Sequence, residues 1–487
     1  MLCIGRFFLP ASATSGSTCA AVVMNFPIPD ELNRVLSGTP ELKDAFFVGG
    51  CVRDAWWGIP HKDFDLEVFG VDYGSLAEAL SRWGRTDLVG RSFGVVKLTL
   101  SSGVTFDFTI PRRDSKVAPG HKGFVATFDG AIEPREAAAR RDYTINSLMF
   151  DPRSGEVLDF FGGVADLTKK VLRHTSDAFV EDPLRVLRGM QFVSRFSLTA
   201  APETVALCRQ IKNHFGELPL ERVREEWFKW AGQSVRPSWG LKFLTDTGWI
   251  DHFPEIGALA GVAQDPEWHP EGDVFTHTCH CLDALVGLPG WRSADVESRI
   301  VYTLAVLAHD FGKAGTTQQA ERKGRLRIVS PGHDEAGRAL AANFLQRIGA
   351  PAAIRDRVIP LVTNHMAHYQ QVSDRAVRRL ANRLFPETIA GLCVIMSADQ
   401  LGRPPLPASP GTVERLLEKA HELELQSSAP KPILLGRHLI EAGLTPGTDF
   451  GKILQDAFEA QLEGEFHDLS QALEWLSRRK SGSDSAR

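Results

Sequence analysis

From about Asn25 to Asp151, short apolar runs alternate with stretches of helical periodicity: "AFFVGG", "CVRDAWWG", "FDLEVFG", "SLAEALSRWG", "VVKLTLS" and "VTFDFTI". Runs of strand length separated by helices predict a small α/β head. After "EVLDFFGGVADL" the strand signals stop. From Asp177 onward apolar residues recur at helical spacing, as in "DPLRVLRGMQFVSRF" and "ERVREEWFKWA". The pattern predicts an α+β chain with a head over residues 26–151 and an almost entirely helical remainder. Pro- and Gly-rich breaks at 234–240, 262–273, 402–411 and 427–432 divide that remainder into a neck (152–262), a central region (263–410) and a tail (411–487). Residues 1–25 read as a disordered or spurious extension, with Met24 as an alternative start, and the final "SGSDSAR" as a frayed end.

Composition changes this picture little. A chain of 487 residues suits three or four domains, and 43% hydrophobic with 24% charged residues is ordinary for a globular protein. The net charge of −5 does not announce a nucleic-acid binder, although a local basic groove can sit on an acidic molecule. "DRAVRRLANRL" (374–384) and "AARRDY" (138–143) are the segments that could line one. No apolar run approaches the ~20 residues that span a bilayer. The seven cysteines form no CxxC framework, which fits thiols in a reducing cytoplasm.

The chemistry starts at "VGGCVRDAWWGIPHKDFDLEV". Alternation along a strand puts Asp63, Asp65 and Glu67 on one face and Phe64, Leu66 and Val68 on the other. A solvated strand face is the plain reading of a lone D-x-D. Asp107 in "VTFDFTI" brings a further carboxylate from a second strand-like run. Clustered carboxylates bind Mg²⁺, and paired ions clamp the attacking and leaving oxygens of phosphoryl transfer. Gly49 and Gly50, between an apolar strand and a helix, let backbone N–H groups approach a phosphate. The pattern is neither G-x-G-x-x-G nor a Walker A loop; it suits nucleotidyl transfer. Like charges this close also require something positive among them.

This signature resembles that of the class II tRNA nucleotidyltransferase and bacterial poly(A) polymerase family. The resemblance continues in order through "RRDSKVAPGHKGF" (112–124), "RRDYTINSLMFDP" (140–152), "EDPLRVLRGMQFVSRF" (181–196) and "LPLERVREEWFKWA" (218–231). It implies Asp63 and Asp65 as holders of catalytic Mg²⁺, Asp107 as a weaker third carboxylate, and Gly49, Gly50, Arg53, Arg140, Arg141, Asp142, Asn146, Asp182, Arg185 and Arg188 as nucleotide-binding. Asp142 and Asn146, four apart on an expected helix face, would recognise the ribose. Asp182 and Arg185, three apart, would read the base: a carboxylate accepts from the exocyclic amine of C or A, and a guanidinium donates to the neighbouring acceptor. A loop within 112–124 supports adenosine addition in the family. The implied reaction is template-independent addition of C and A (CCA) to the 3′ end of tRNA from CTP and ATP, with an adenylyl-only enzyme as the alternative.

The central region carries a second, sparse series: His277, His309-Asp310, His333, His365 and Asp399. The blocks "HPEGDVFTHT", "LAVLAHDFGK", "GHDEAG", "NHMAHY" and "ADQLGR" resemble HD-type metal-dependent phosphohydrolases. Imidazole with carboxylate oxygens suits Mn²⁺, Ni²⁺, Fe²⁺ or Mg²⁺ better than a thiolate-rich zinc site. Cys279 and Cys281 are not counted, since i, i+2 spacing splits them across a helix. The competing reading is a helical scaffold that only holds tRNA.

Overall fold

The computed structural model describes residues 22–60, 63–87, 94–116, 124–369, 372–407 and 411–484. It divides into two compact units, Met1–Glu181 and Asp182–Arg487, and the α+β class holds. Residues 1–21 of the expected extension and 117–123 of the expected loop lie outside the described residues.

The first unit contains strands β1 (Val22–Val23), β2 (Ala45–Val48), β3 (Asp65–Val68), β4 (Gly84–Asp87), β5 (Val95–Leu100), β6 (Thr105–Thr109), β7 (Arg112–Lys116), β8 (Phe124–Phe128), β9 (Met149–Phe150) and β10 (Glu156–Leu158). Eight of them form one sheet in the order β1-β10-β9-β2-β3-β6-β5-β4, while β7 and β8 pair separately as a hairpin. Every residue of β2 is buried, as expected of a central strand covered on both faces. On one face Phe46 and Val48 pack with Phe69, Ile132, Ala137, Ala138 and Met149. On the other, Phe26 stacks on Phe150 with centroids 4.7 Å apart, and Phe47 meets Phe64 edge-on at 5.9 Å. Residues 152–181, expected in the neck, belong to this unit because β10 extends the sheet and helix Gly163–Lys169 joins it.

The second unit is helical around an aromatic centre. Helix Leu220–Gln233 repeats "WFKW" so that Trp227 and Trp230 both point inward. The fully buried Trp227 ring lies 5.2 Å from Trp230, 4.8 Å from Phe253 and 5.2 Å from Phe344, all edge-on. The tail folds as helices Gly436–Glu441, Asp449–Glu463 and Leu469–Asp484 around Leu439, Phe466 and Leu476. No helix of the described residues is long and apolar enough to cross a membrane.

Two expectations change. The region after Asp177 is not purely helical, because strands Gln318–Arg322 and Arg325–Val329 form a hairpin. Neither strand has a buried residue, so no apolar alternation marked them. The arginines of 374–384 also do not line an open groove. Arg379 pairs with Glu459 at 3.0 Å and with Glu463, Arg375 reaches Glu463 at 2.5 Å, and Arg378 Nε donates to the Leu462 carbonyl at 3.1 Å. They fasten the tail.

The buried indole N–H of Trp227 has no hydrogen-bond acceptor, which separates the roles of its ring and its nitrogen. Trp227→Ala is expected to destabilise by ~3–5 kcal/mol, as large aromatic truncations do, whereas Trp227→Phe removes the unpaired donor and costs far less. Chemical denaturation of both variants checks the difference.

Candidate functional site

In the first unit the acidic row is real. Asp65 and Asp107 are direct partners across the parallel β3–β6 ladder, and Lys97 stands opposite Asp107 on β5 with Nζ 3.7 Å from its Oδ1. Asp63 is exposed, two residues before β3. Desolvation raises the Asp65 carboxyl above its usual range; Arg141 opposes this, and the charges of Asp107 and Asp63 add to it. Two negative charges beside a desolvated Asp65 make a set that a divalent cation would relieve, so Asp63 and Asp65 with Asp107 fit Mg²⁺.

Arg141 is the positive group that the row requires. Its Nη2 binds the buried Glu67 Oε2 at 2.9 Å, and its Nε is buried without a hydrogen-bond partner. Glu67, to which the resemblance assigns no role, is therefore the anchor of this guanidinium. Gly49 has φ +72°, and a Cβ there would stand 3.2 Å from Arg141 Nη1. The glycine lets the turn bend and leaves room for the arginine.

Behind the turn runs a buried polar chain. Arg53, on helix Gly50–Trp56, pairs with Asp54 at 2.7 Å and donates to Asn146 Oδ1 at 2.6 Å; Asn146 Nδ2 donates to Asp142 Oδ1 at 3.0 Å. Asp142 and Asn146 do meet, but not on an α-helix: a 3₁₀ turn, Thr144–Asn146, brings them together. Arg140 turns to Glu181 at 3.0 Å.

In the second unit, Asp182 precedes helix Leu184–Phe196 and caps it by accepting from Leu184 N–H at 3.1 Å. Its carboxylate is also held by Arg222, with Nη2–Oδ2 at 2.8 Å and Nη1–Oδ1 at 3.4 Å. Arg222 lies in the quoted "LERVREE" yet went unassigned, because pairing between helices is invisible to local spacing. Arg185 follows one turn on, its backbone N–H on the Asp182 carbonyl at 3.0 Å. Arg188 sits over the Phe192 ring at 5.2 Å and 3.9 Å from the buried Glu226.

The central series converges completely, because helix ends deliver it. The apolar helix Val296–Ala308, capped by Asp295 on Ser298 N–H, carries His309-Asp310 at its end. His277 comes from helix Val274–Leu285, His333 begins His333–Arg347, His365 follows Ala352–Asn364, and Asp399 sits on Ile389–Leu401. All six are buried. Asp310 is the hub: Oδ2 lies 3.2 Å from His309 Nε2 and 3.7 Å from His277 Nε2, and Oδ1 lies 3.4 Å from His333 Nε2 and 3.9 Å from His365 Nε2. Asp399 Oδ1 adds a contact to His277 Nε2 at 3.1 Å. The turn after Asp310 packs so closely that a Cβ on Gly312 would come within 2.0 Å of the His333 carbonyl.

Four supporting residues were missed. Glu271 Oε1 accepts from His277 Nδ1 at 2.7 Å and His269 Nδ1 at 2.9 Å, which leaves His277 Nε2 facing the cluster. Lys313 Nζ lies 2.7 Å from Asp310 Oδ2. Cys281 corrects the rejection of both thiols: it is four residues from His277, not merely two from Cys279, and its Sγ packs 3.3 Å from His277 Nε2. The i, i+4 spacing was the available signal. His309 Nε2 is buried without a hydrogen-bond partner. Burial and the neighbouring His309 push His365 down to about 3, while His309 and Lys313 hold Asp310 well below the carboxylate range against its desolvation. Neutral His365 and ionised Asp310 are in the states that a metal ion takes, whereas Cys281, Asp399 and Glu271 outweigh burial and raise His277 well above its ordinary value; the donor types fit an ion that displaces that proton.

Residues 45–173 match the poly A polymerase head domain. A multifunctional CCA protein of Xanthomonas campestris is 36% identical over 371 residues, 74% of this chain and 85% of the relative. The chain belongs to the multifunctional CCA protein family. Its fold is shared with the CCA-adding enzyme of Bacillus stearothermophilus, solved in complex with CTP (TM-score 0.63, 20% identity, covering 94% of this chain and 100% of that one). It is also shared with the Thermotoga maritima CCA-adding enzyme complexed with tRNA (TM-score 0.56, 19% identity, 93% and 97%).

Hydrogen bonds from His269 and His277 outweigh desolvation and lower Glu271 from an ordinary 4.5 to about 2. Its folded value is depressed, so its stabilisation is present above about pH 4.5 and is lost as pH falls through about 2. Glu271→Gln is expected to weaken Mn²⁺ affinity ~10–100-fold, as loss of a carboxylate orienting a ligand imidazole does. Isothermal titration of the metal-stripped protein checks this.

Proposed function

We propose that this chain adds C and A to the 3′ end of tRNA from CTP and ATP. The 3′ oxygen forms a bond to the α-phosphorus, the bond from that phosphorus to the β-phosphate oxygen breaks, and pyrophosphate leaves. The in-register pair Asp65–Asp107, with Asp63 at the strand mouth, carries the reading. Asp63 and Asp65 would hold Mg²⁺, with Asp107 beside them; the bound ion would supply charge neutralisation of the triphosphate and activation of the hydroxyl. The Gly49–Gly50 turn offers backbone N–H groups, and Arg141, held by Glu67, offers a fixed positive charge for phosphate oxygens. Arg53, Asn146 and Asp142 form a rigid polar chain that would fix the ribose. Asp182 and Arg185 would read the base. The relatives' CCA names, the CTP complex and the tRNA complex support this substrate set. Free thiols at Cys51, Cys208, Cys279, Cys281 and Cys393 suit a cytoplasmic location. A neck to residue 262, an HD region over 263–410 and a tail from 411 complete the reading.

Three tRNA substrates decide the product: one ending before the CCA, one ending in C and one ending in CC, each given CTP or ATP alone. The expected result is CMP incorporation on the first two and AMP on the third. AMP incorporation restricted to the third, with no use of CTP, would instead support an adenylyl-only enzyme.

A second activity is supported by the six buried candidate ligands centred on Asp310: metal-dependent hydrolysis of a phosphoester, such as a cyclic or 2′-phosphate RNA end. Water adds to phosphorus, the P–O bond to the ribose oxygen breaks, and that oxygen takes a proton. His309→Ala is expected to abolish hydrolysis while nucleotidyl transfer persists. Equal hydrolysis by wild type and variant would exclude this site.

A further inference from the structure

The hairpin between Asp310 and His333 is used by neither activity. Its strands, Gln318–Arg322 and Arg325–Val329, pair only with each other among the described residues, and Lys323 (φ 52°) and Gly324 (φ 73°) make the turn. Arg322 stands directly opposite Arg325, with Lys323 between them, and all three are exposed. Like charges placed directly across a ladder repel, and an anion on that face removes the penalty. Arg375 and Arg379 of the other basic segment, 374–384, already pair with Glu459 and Glu463, whereas the three cations of this turn form no ion pair among the described residues.

The base of the hairpin is tied to both rims of the metal-ligand cluster. Thr317 and Ser330 hydroxyls are 2.8 Å apart, and the Ser330 carbonyl accepts from His333 Nδ1 at 2.8 Å. Arg327 pairs with Asp265 at 3.0 Å and with Glu267. The next residue, Trp268, is 58% exposed, an unusual position for an indole. It is followed by His269, which is fixed on Glu271. The cavity over the ligands holds only about 50 Å³ and is lined by Asp310, His333, His365 and Asp399 with the cations Lys313 and Arg403. Nucleotide-sized pockets are several times larger, ~300 Å³ and upward. A phosphoryl group therefore enters alone, and the nucleoside it belongs to must rest on the rim.

We propose that the hairpin and Trp268 form a docking surface for the 3′ end of single-stranded RNA. Backbone phosphates lie along Arg322, Lys323 and Arg325, the terminal base stacks on Trp268, and the terminal phosphoester is presented to the cavity. The proposal rests on the phosphohydrolase reading of that cavity.

The test uses the full chain with Mn²⁺ and a short RNA ending in a 2′,3′-cyclic phosphate, with bis(p-nitrophenyl) phosphate as the small ester. Trp268→Ala and the double variant Arg322→Ala/Arg325→Ala are expected to raise KM for the RNA about tenfold with little change in kcat. The double variant also lowers the salt dependence of RNA binding by about 1.4 in log–log slope, ~0.7 per lost phosphate contact. Hydrolysis of the small ester reports that the metal site is intact. Unchanged KM for the RNA overturns the docking surface while leaving the hydrolase. If wild type hydrolyses neither substrate, the hydrolase reading fails, and docking is judged by photocrosslinking the same RNA carrying 3′-terminal 4-thiouridine. Adducts at Trp268 or residues 318–329 support the surface; adducts elsewhere alone overturn it.

Discussion

A carboxylate taken out of water must be partnered, and much of this architecture supplies those partners. Desolvating an ion costs several kcal/mol or more, and the cost is recovered only through well-placed opposite charge and hydrogen bonds. Asp310 is the extreme case: almost fully buried, it is ringed by Lys313 and four imidazoles. Every helix that ends at this carboxylate is thereby fixed in position. The Val296–Ala308 helix must stop at His309, and Gly312 must lack a side chain for the next turn to close on His333. A ligand set built in this way stays arranged by packing before any ion arrives, which is the condition for a metal site of defined geometry.

The head solves the same problem with fewer groups. Its row of carboxylates is moderated by the Arg141 guanidinium and by Lys97, 3.7 Å from Asp107. Glu67 belongs to that solution. Its carboxylate holds the Arg141 guanidinium at 2.9 Å, a fixed cation beside the row. The acidic triplet therefore divides: Glu67 holds the arginine, while Asp65 and, two residues before the strand, Asp63 are left for the proposed Mg²⁺.

Much of this was legible because chemistry and periodicity coincided. Strand alternation identified the face of Asp65, and the apolar helix before His309 located the metal cluster. What stayed hidden required knowledge of tertiary neighbours. Arg222 reaches Asp182 from 40 residues away, and no local spacing announces such a pair. Cys281 was judged against Cys279 when its true neighbour was His277. The hairpin at 318–329 escaped because a ribbon wet on both faces has no apolar period. The arginines of 374–384 were visible as charge, but whether a charge faces solvent or a tail helix depends on packing.

If Asp182 reads the base, as proposed, its pairing with Arg222 bears on how a protein can choose between bases without a template strand. A carboxylate has about four acceptor directions. Here the Leu184 N–H and the Arg222 guanidinium occupy part of them and hold the side chain in one orientation. A freely rotating carboxylate would accept from any exocyclic amine, including that of guanine, and would discriminate poorly. A clamped one presents its remaining lone pairs in a fixed direction, so an amine must sit at the correct place on the base edge relative to the donor from Arg185. Each well-matched pair of this kind is worth ~1–3 kcal/mol against the wrong base, and that margin exists only if the protein side does not adapt. On the proposed base reading, rigidity at Asp182, supplied from the neighbouring helix, would be part of the specificity itself.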